Sequence, residues 1–201
     1  MTFACNAVSY ARSMRNVKGV LFADYIRMIR SHKGVDWTRL LTIEDLRYLR
    51  TQIQPDEWYP MASFERLGNA ILSIVAQDDL NAVREFGWHQ VDQLAVAYPM
   101  LVAPDDPVET LNRFRVLRST FFDFEALKIP LLHEDEARIL VAYHMGLRAE
   151  EAASYQTLGF FERLLALSGA RDARGRFLER SWAGDERTLL ELTWMMDPAR
   201  I

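Results

Sequence analysis

The chain has 201 residues, half of them hydrophobic and 11% aromatic, with 28 acidic against 24 basic side chains and a formal net charge of -4. That is the composition of a globular chain with a core, not of a disordered one, and the acidic balance argues against nucleic acid, whose binders present a basic face. The single cysteine, Cys5, excludes an internal disulfide and any multi-cysteine zinc or iron–sulfur site.

No apolar run approaches the ~20 residues of a membrane span, and the polar N-terminus lacks a signal-peptide core. The expectation is a cytoplasmic protein that does not insert into membranes. Residues 1 to about 16 show no firm period and read as an arm or a short first strand. From Lys18 to Lys33, the residues Leu21, Phe22, Tyr25, Ile26 and Ile29 fall on one helical face, and Gly34 closes the segment. Thr42 caps a second helix from Ile43 to about Gln54, with Asp45 standing where a capping-box acid belongs. Pro55 and Pro60 bracket the loop PDEWYP. Met61 to Gln77 is a third helix. Asp78 caps a fourth, running to Ala97 with Leu80, Val83, Phe86, Gln90 or Val91, and Leu94 along one side, and Tyr98-Pro99 stops it. Pro107 suits the first turn of a fifth helix, about Val108 to Leu117.

After Ser119 the period changes. STFFDFEALKIPLLH alternates as a strand, HEDE is turn-like, and Ala137 to Met145 is a near-continuous apolar strand, as expected where both faces are covered. Ala149 to Ala170 is the longest clear helix of the second half. Its Ala153, Leu158, Phe161, Leu164 and Leu165 form one apolar face, Glu150 and Glu151 lie in its first turn, and Gly169 ends it. RDARG reads as a turn, followed by a hairpin of Arg176–Trp182 and Arg187–Met196 around AGDE. The fold class is α+β. A helical lobe of about five helices (about 17–118) packs on a four-stranded antiparallel sheet with one long helix between its two strand pairs (about 119–196), all as a single domain over 1–201.

The residues offer little chemistry. The four histidines, His32, His89, His133 and His144, form no His-x-x-x-His or His-Glu-x-x-His pair. His89, in the middle of an amphipathic helix, has the geometry to face a cavity and hold heme or a metal, but packing is the commoner role for such a histidine. HEDE at 133–136 offers oxygens to a hard cation, and equally serves as a solvated turn. No Ser/His/Asp or Cys/His set assembles, and there is no GxGxxG or P-loop. No catalytic residue and no metal ligand is assigned. WYP at 58–60 and YP at 98–99 bracket a helical hairpin, where aromatics line a cavity or lock loops to a core.

Several pieces resemble the superfamily that includes heme-NO-binding (H-NOX) domains, 4-vinyl reductase domains and the TRAPP vesicle-tethering subunits. They are KGVLFADYIRMI, LTIEDLRYL, WYPMASFERLGNAI, REFGWHQVDQLAVAYP, and SYQTLGFFERLLALSGARD with a hairpin ending in LLELTW. Within it the chain is most similar, over Lys18 to Trp194, to a myxobacterial paralogous family. The resemblance implies a helical lobe on a four-stranded antiparallel sheet, with a ligand cavity between them in sensing members. It does not carry heme across. H-NOX proteins hold iron through a histidine in the helix before the first sheet strand, where this chain reads ETLNRFRVLRST, with Arg113 near the place. Of their Tyr-x-Ser-x-Arg propionate set only Tyr143 survives, Met145 and Leu147 standing at the other positions. The cysteine-based metal site of some vinyl-reductase-type domains is excluded by having Cys5 alone.

The reading that follows is a non-enzymatic cytoplasmic sensor or signalling module with an H-NOX/TRAPP-like fold and no cofactor. It binds a small apolar ligand, lined by Phe86, Tyr98, Phe114 and Tyr143, or a partner protein. The alternative is an interaction scaffold with a filled core and a helical face for a homodimer or another partner.

Overall fold

The computed structural model describes residues 15–196, and the expected N-terminal arm lies mostly outside them. The first strand, β1 (Asn16–Lys18), leads directly into α1 (Gly19–Ser31). The face of α1 that packs inward is Leu21, Phe22, Tyr25, Ile26 and Ile29, as the spacing requires. Helix α2 (Ile43–Tyr48) opens with the expected capping box: Thr42 Oγ1 accepts from the Asp45 N–H and Asp45 accepts from the Thr42 N–H. It ends well before Gln54. Arg30 of α1 explains the early exit, donating to the carbonyls of Tyr48 (3.0 Å), Leu49 (3.0 Å) and Thr51 (2.5 Å). Carbonyls gripped from outside have no need of further helix to satisfy them.

PDEWYP is more than a loop. Trp58–Pro60 forms β2, paired antiparallel with β1, and the Tyr59 ring stacks on Phe22 at 4.6 Å. Helix α3 (Met61–Ile74) follows. Gln77 and Asp78 both adopt left-handed backbone (φ 53° and 62°), which turns the chain sharply and shifts the next cap by one residue. Asp79, not Asp78, caps α4 (Leu80–Ala97), accepting from the Asn81 N–H at 2.8 Å. Helix α5 (Pro107–Phe121) carries Pro107 in its first turn and runs a full turn past Leu117. Ser119–Phe121 is therefore helix rather than strand. Phe121 and Phe122 are consecutive and both buried, which an alternating strand with one open face cannot provide.

The sheet comprises β3 (Leu127–Leu132), β4 (Glu136–Val141), β5 (Arg171–Glu179) and β6 (Thr188–Met195), in the order β3-β4-β6-β5 with every pair antiparallel. Helix α6 (Leu147–Leu167) connects β4 to β5. Strand β4 is covered on one face only: Ala137, Ile139 and Val141 are buried, while Arg138 turns outward between Glu136 and Glu191. The apolar residues between them led the sequence to suggest cover on both sides. RDARG lies inside β5. The reversal happens earlier, at Gly169 (φ 88°), and the turn-forming Asp172 (φ 49°) is absorbed in an irregularity of the β5–β6 register.

One continuous apolar cluster runs through the helices and the sheet. Helices α4 and α6 cross at glycines: a Cβ on Gly87 would lie 2.1 Å from the Gln156 carbonyl oxygen, and one on Gly159 2.0 Å from that of Arg84. Only hydrogen at these two positions lets the backbones meet. The sheet edges are blunted by side chains. Arg115 donates to the Ile129 carbonyl at 3.2 Å on β3, which also carries Pro130, and Glu162 accepts the Gly175 N–H at 2.9 Å on β5. Among the described residues, no helix is long and apolar enough to cross a membrane.

Candidate functional site

The helical lobe meets the sheet lobe around a small apolar chamber. Its wall takes Tyr25 from α1, Phe64 from α3, Gln90 from α4, Phe114 from α5, Tyr143 after β4, and Gln156 and Phe160 from α6. Aromatic rings fill most of the space. Tyr25 stacks on Phe64 at 4.2 Å, Phe114 meets Phe160 at 5.5 Å and Phe161 at 4.9 Å, and Phe122 meets Tyr143 at 5.5 Å. What remains is about 40 Å³. That is room for a few water-sized groups, and far short of the ~300 Å³ at which drug-sized ligands begin.

Two short hydrogen-bonded chains cross this apolar surround. In the first, the Tyr25 hydroxyl donates to Gln156 Oε1 at 2.6 Å, and Gln156 Nε2 donates to Gln90 Oε1 at 3.4 Å. In the second, Thr157 donates to the Ala153 carbonyl at 2.8 Å, so its oxygen accepts from the Tyr143 hydroxyl at 2.7 Å. Burial pushes both phenols well above the usual tyrosine range, so they stay protonated at neutral pH. The chamber therefore offers hydrogen bonds rather than acid–base chemistry. Behind Tyr143, the Glu150 carboxylate accepts the N–H groups of Tyr143 (3.0 Å) and Met145 (2.8 Å), one on each oxygen. Burial raises the Glu150 pKa above the ordinary glutamate value, and these two donors only partly offset it.

Of the residues proposed from sequence, Phe114 and Tyr143 line the chamber. Phe86 stands on the far side of Gln156, beside a hollow of about 20 Å³ and an open surface groove. Tyr98 lies beyond the chamber, edge-on to Phe121 at 5.4 Å. Sequence reasoning missed Tyr25, Phe64 and Gln156. Tyr25 reads as ordinary core, and the signal for Gln156 is an amide on the inward side of a helix, where an unpaired polar group is costly.

The chamber does not fit an iron porphyrin. Among the described residues, no histidine or cysteine lines it. Arg113, near the expected ligand position, turns outward to Glu109 (3.0 Å) and to the carbonyls of Met100 and Val102. His89, His133 and His144 are exposed, and His32 bonds the Met28 carbonyl at 2.8 Å. Tyr143 spends its hydroxyl on Thr157, and the free volume is smaller than a porphyrin by an order of magnitude. Among the described residues, no three His, Cys, Asp or Glu side chains gather to hold a metal, the HEDE turn included.

No family model and no curated protein matches the sequence. Solved structures do. The H-NOX protein from K. algicida in its Fe(II) unliganded state shares 12% identity at a TM-score of 0.65, covering 90% of this chain and 98% of that one. A triply substituted H-NOX protein from S. oneidensis in the Fe(II) ligation state shares 11% at 0.61, covering 90% and 97%. An oxygen-binding H-NOX domain related to soluble guanylate cyclases, in its oxygen complex, shares 16% at 0.58, covering 88% and 94%. With nearly the whole of each chain superposed at such low identity, what is shared is the architecture: the chain has an H-NOX-like fold.

Proposed function

We propose that the protein is a heme-free, non-enzymatic signalling module in which the H-NOX architecture serves protein contact rather than gas-ligand chemistry. The observation that carries this reading is the chamber itself, where Phe64, Phe114, Phe122 and Phe160 pack until about 40 Å³ is left. The absence of an imidazole or thiolate on its wall, among the described residues, supports the heme-free part. Exposed apolar side chains at the α4–α5 junction support the contact part: Val96, Met100 and Val116 are 81%, 66% and 75% exposed, and Arg113, one turn before Val116, holds the Met100 carbonyl. The resemblance of the sequence pieces to the superfamily that includes the TRAPP tethering subunits fits a partner protein or a second copy as the target.

A second reading is favoured by the polar chains in the chamber. Gln90 and Gln156 are buried amides facing an apolar space, the arrangement by which small-molecule sites fix orientation. On that reading a small apolar ligand enters by displacing an aromatic wall residue. One measurement separates the two: native mass spectrometry of protein purified from its own host, with an absorbance spectrum before and after adding hemin. A clean apo mass and no shifted Soret band support the heme-free contact module. A co-purifying small molecule moves the assignment to ligand sensing, and a stoichiometric Soret complex refutes the heme-free reading.

A further inference from the structure

On the outer side of Gln90 and Gln156 lies an open groove of about 380 Å³, roughly ten times the free space of the chamber and within the range of small-molecule sites. Helices α1 and α4 form its walls and α6 its floor. Gln90 and Gln156 are each only 8% exposed, and each lines both the groove and the chamber. Gln90 Oε1 accepts from Gln156, but the Gln90 amide nitrogen donates to no protein atom among the described residues. A mostly buried side chain whose NH2 has no protein acceptor and borders an open groove leaves two donors that a ligand oxygen can take in place of water.

The walls describe what that acceptor belongs to. Phe86, Met28 and Val75 give one apolar side. Arg27 also lines it, ion-paired to Asp24 and donating to Gln93 Oε1 at 2.5 Å, with His89 and Ser31 beside them, so the groove offers donors from Gln90, Gln93 and Arg27 next to the Asp24 carboxylate. With Asp24 neutralising Arg27, the groove has no large net charge to draw a polyanion. We propose that this groove is a binding site for a small amphipathic carbonyl compound, an amide or carboxylic acid. Its oxygen accepts from the Gln90 amide and its apolar body lies along Phe86. Occupancy would pull on Gln90, and through Gln156 on the Tyr25 hydroxyl, so the site is wired to the core between the lobes. The site stands apart from the chamber and holds whether or not the chamber takes a ligand.

The test uses the full chain, isotopically labelled, with 4-phenylbutanamide, 4-phenylbutanoate and butylbenzene as probes. The expected result is that both carbonyl probes shift the side-chain NH2 signals of Gln90 and Gln156 at millimolar concentration, with contacts from the phenyl ring to Phe86. Butylbenzene binds at least tenfold more weakly. Gln90→Leu should lose tenfold or more for both carbonyl probes, and Arg27→Gln should weaken the carboxylate more than the amide. Should Gln90→Leu fail to fold, the ring contacts to Phe86 and the gap between the amide and butylbenzene carry the test on the unaltered chain. Equal binding of all three probes overturns the assignment. So does undiminished binding to a folded Gln90→Leu variant, or the absence of any groove shift with either carbonyl probe.

Discussion

Replacing Gly87 by alanine should destabilise the protein, although helix propensity alone says the opposite. An alanine in the interior of a helix is favoured over glycine by about 1 kcal/mol. Here the added methyl would stand 2.1 Å from the Gln156 carbonyl oxygen and 2.7 Å from the Phe160 nitrogen, both backbone atoms that no rotamer change can move. Restoring an ordinary contact of 3.4 Å requires α4 and α6 to part by more than an ångström. A gap of that size forfeits a quarter to a half of the dispersion energy along the crossing, and overpacking in a core costs about 1–3 kcal/mol or more. Because both clashing atoms are backbone, the upper end of that cost applies, and set against the propensity gain the net loss is about 2 kcal/mol. For a chain of this length that lowers the melting temperature by roughly 4–8 °C. Gly159→Ala should behave alike, since its methyl meets the Arg84 carbonyl oxygen at 2.0 Å. One separation of the helices relieves both clashes, so the double variant should cost clearly less than the sum of the singles. Thermal and urea unfolding of the three variants measure this. A melting temperature at or above that of the parent for either single variant refutes the close crossing.

Three further outcomes follow from the same contacts. Asp45→Asn should cost about 3 kcal/mol in urea unfolding, because it strips a buried carboxylate from Arg66, which holds it at 2.6 and 2.8 Å. Burial would raise the Asp45 pKa, but hydrogen bonds from Arg66, Ser63 and Thr42 outweigh it and hold the carboxyl below its ordinary value. Its stabilisation is present above the unfolded-state pKa and lost as pH falls through the depressed folded value, so the parent should lose more stability in acid than the Asn variant. Glu150 has the opposite sign: its raised pKa gives a contribution present below the ordinary glutamate pKa and lost as pH rises through the folded value. In Glu150→Gln that loss should vanish, at the expense of one of the two backbone N–H bonds. A Glu150→Gln stability profile parallel to the parent's from mildly acidic to neutral pH would count against the assignment. Phe114→Ala should destabilise by about 3–5 kcal/mol and open the chamber enough to admit benzene, detectable by calorimetry. A Phe114→Ala variant that takes up no benzene means that the wall collapses instead.

Much of the fold was legible because periodicity reports burial directly. The inward face of α1, the Thr42–Asp45 capping box, the Pro107 start of α5, and the position of α6 between two strand pairs can all be read from spacing. What escaped was set by partners distant in sequence. Nothing near Tyr48 says that Arg30 will take its carbonyl, and nothing in PDEWYP says that β1 waits to pair with it. The glycines at 87 and 159 carried a signal, since each weakens its helix unless a neighbour needs the room, but only the pairing of α4 with α6 shows which neighbour. At the candidate site, Phe114 and Tyr143 could be named from sequence as inward aromatics. The Tyr25–Gln156–Gln90 chain joins three helices, and no local pattern announces such a junction.

The two blunted strand edges limit how this protein can assemble. A sheet with an open rim invites a neighbour's extended segment, and copies then stack without end as fibrils do. Here an arginine and a proline stop that on β3, and a glutamate stops it on β5. Among the described residues, pairing through the edges of this four-stranded sheet is therefore disfavoured. At the high concentrations of a structural or calorimetric experiment, the molecule should stay discrete rather than polymerise through its sheet.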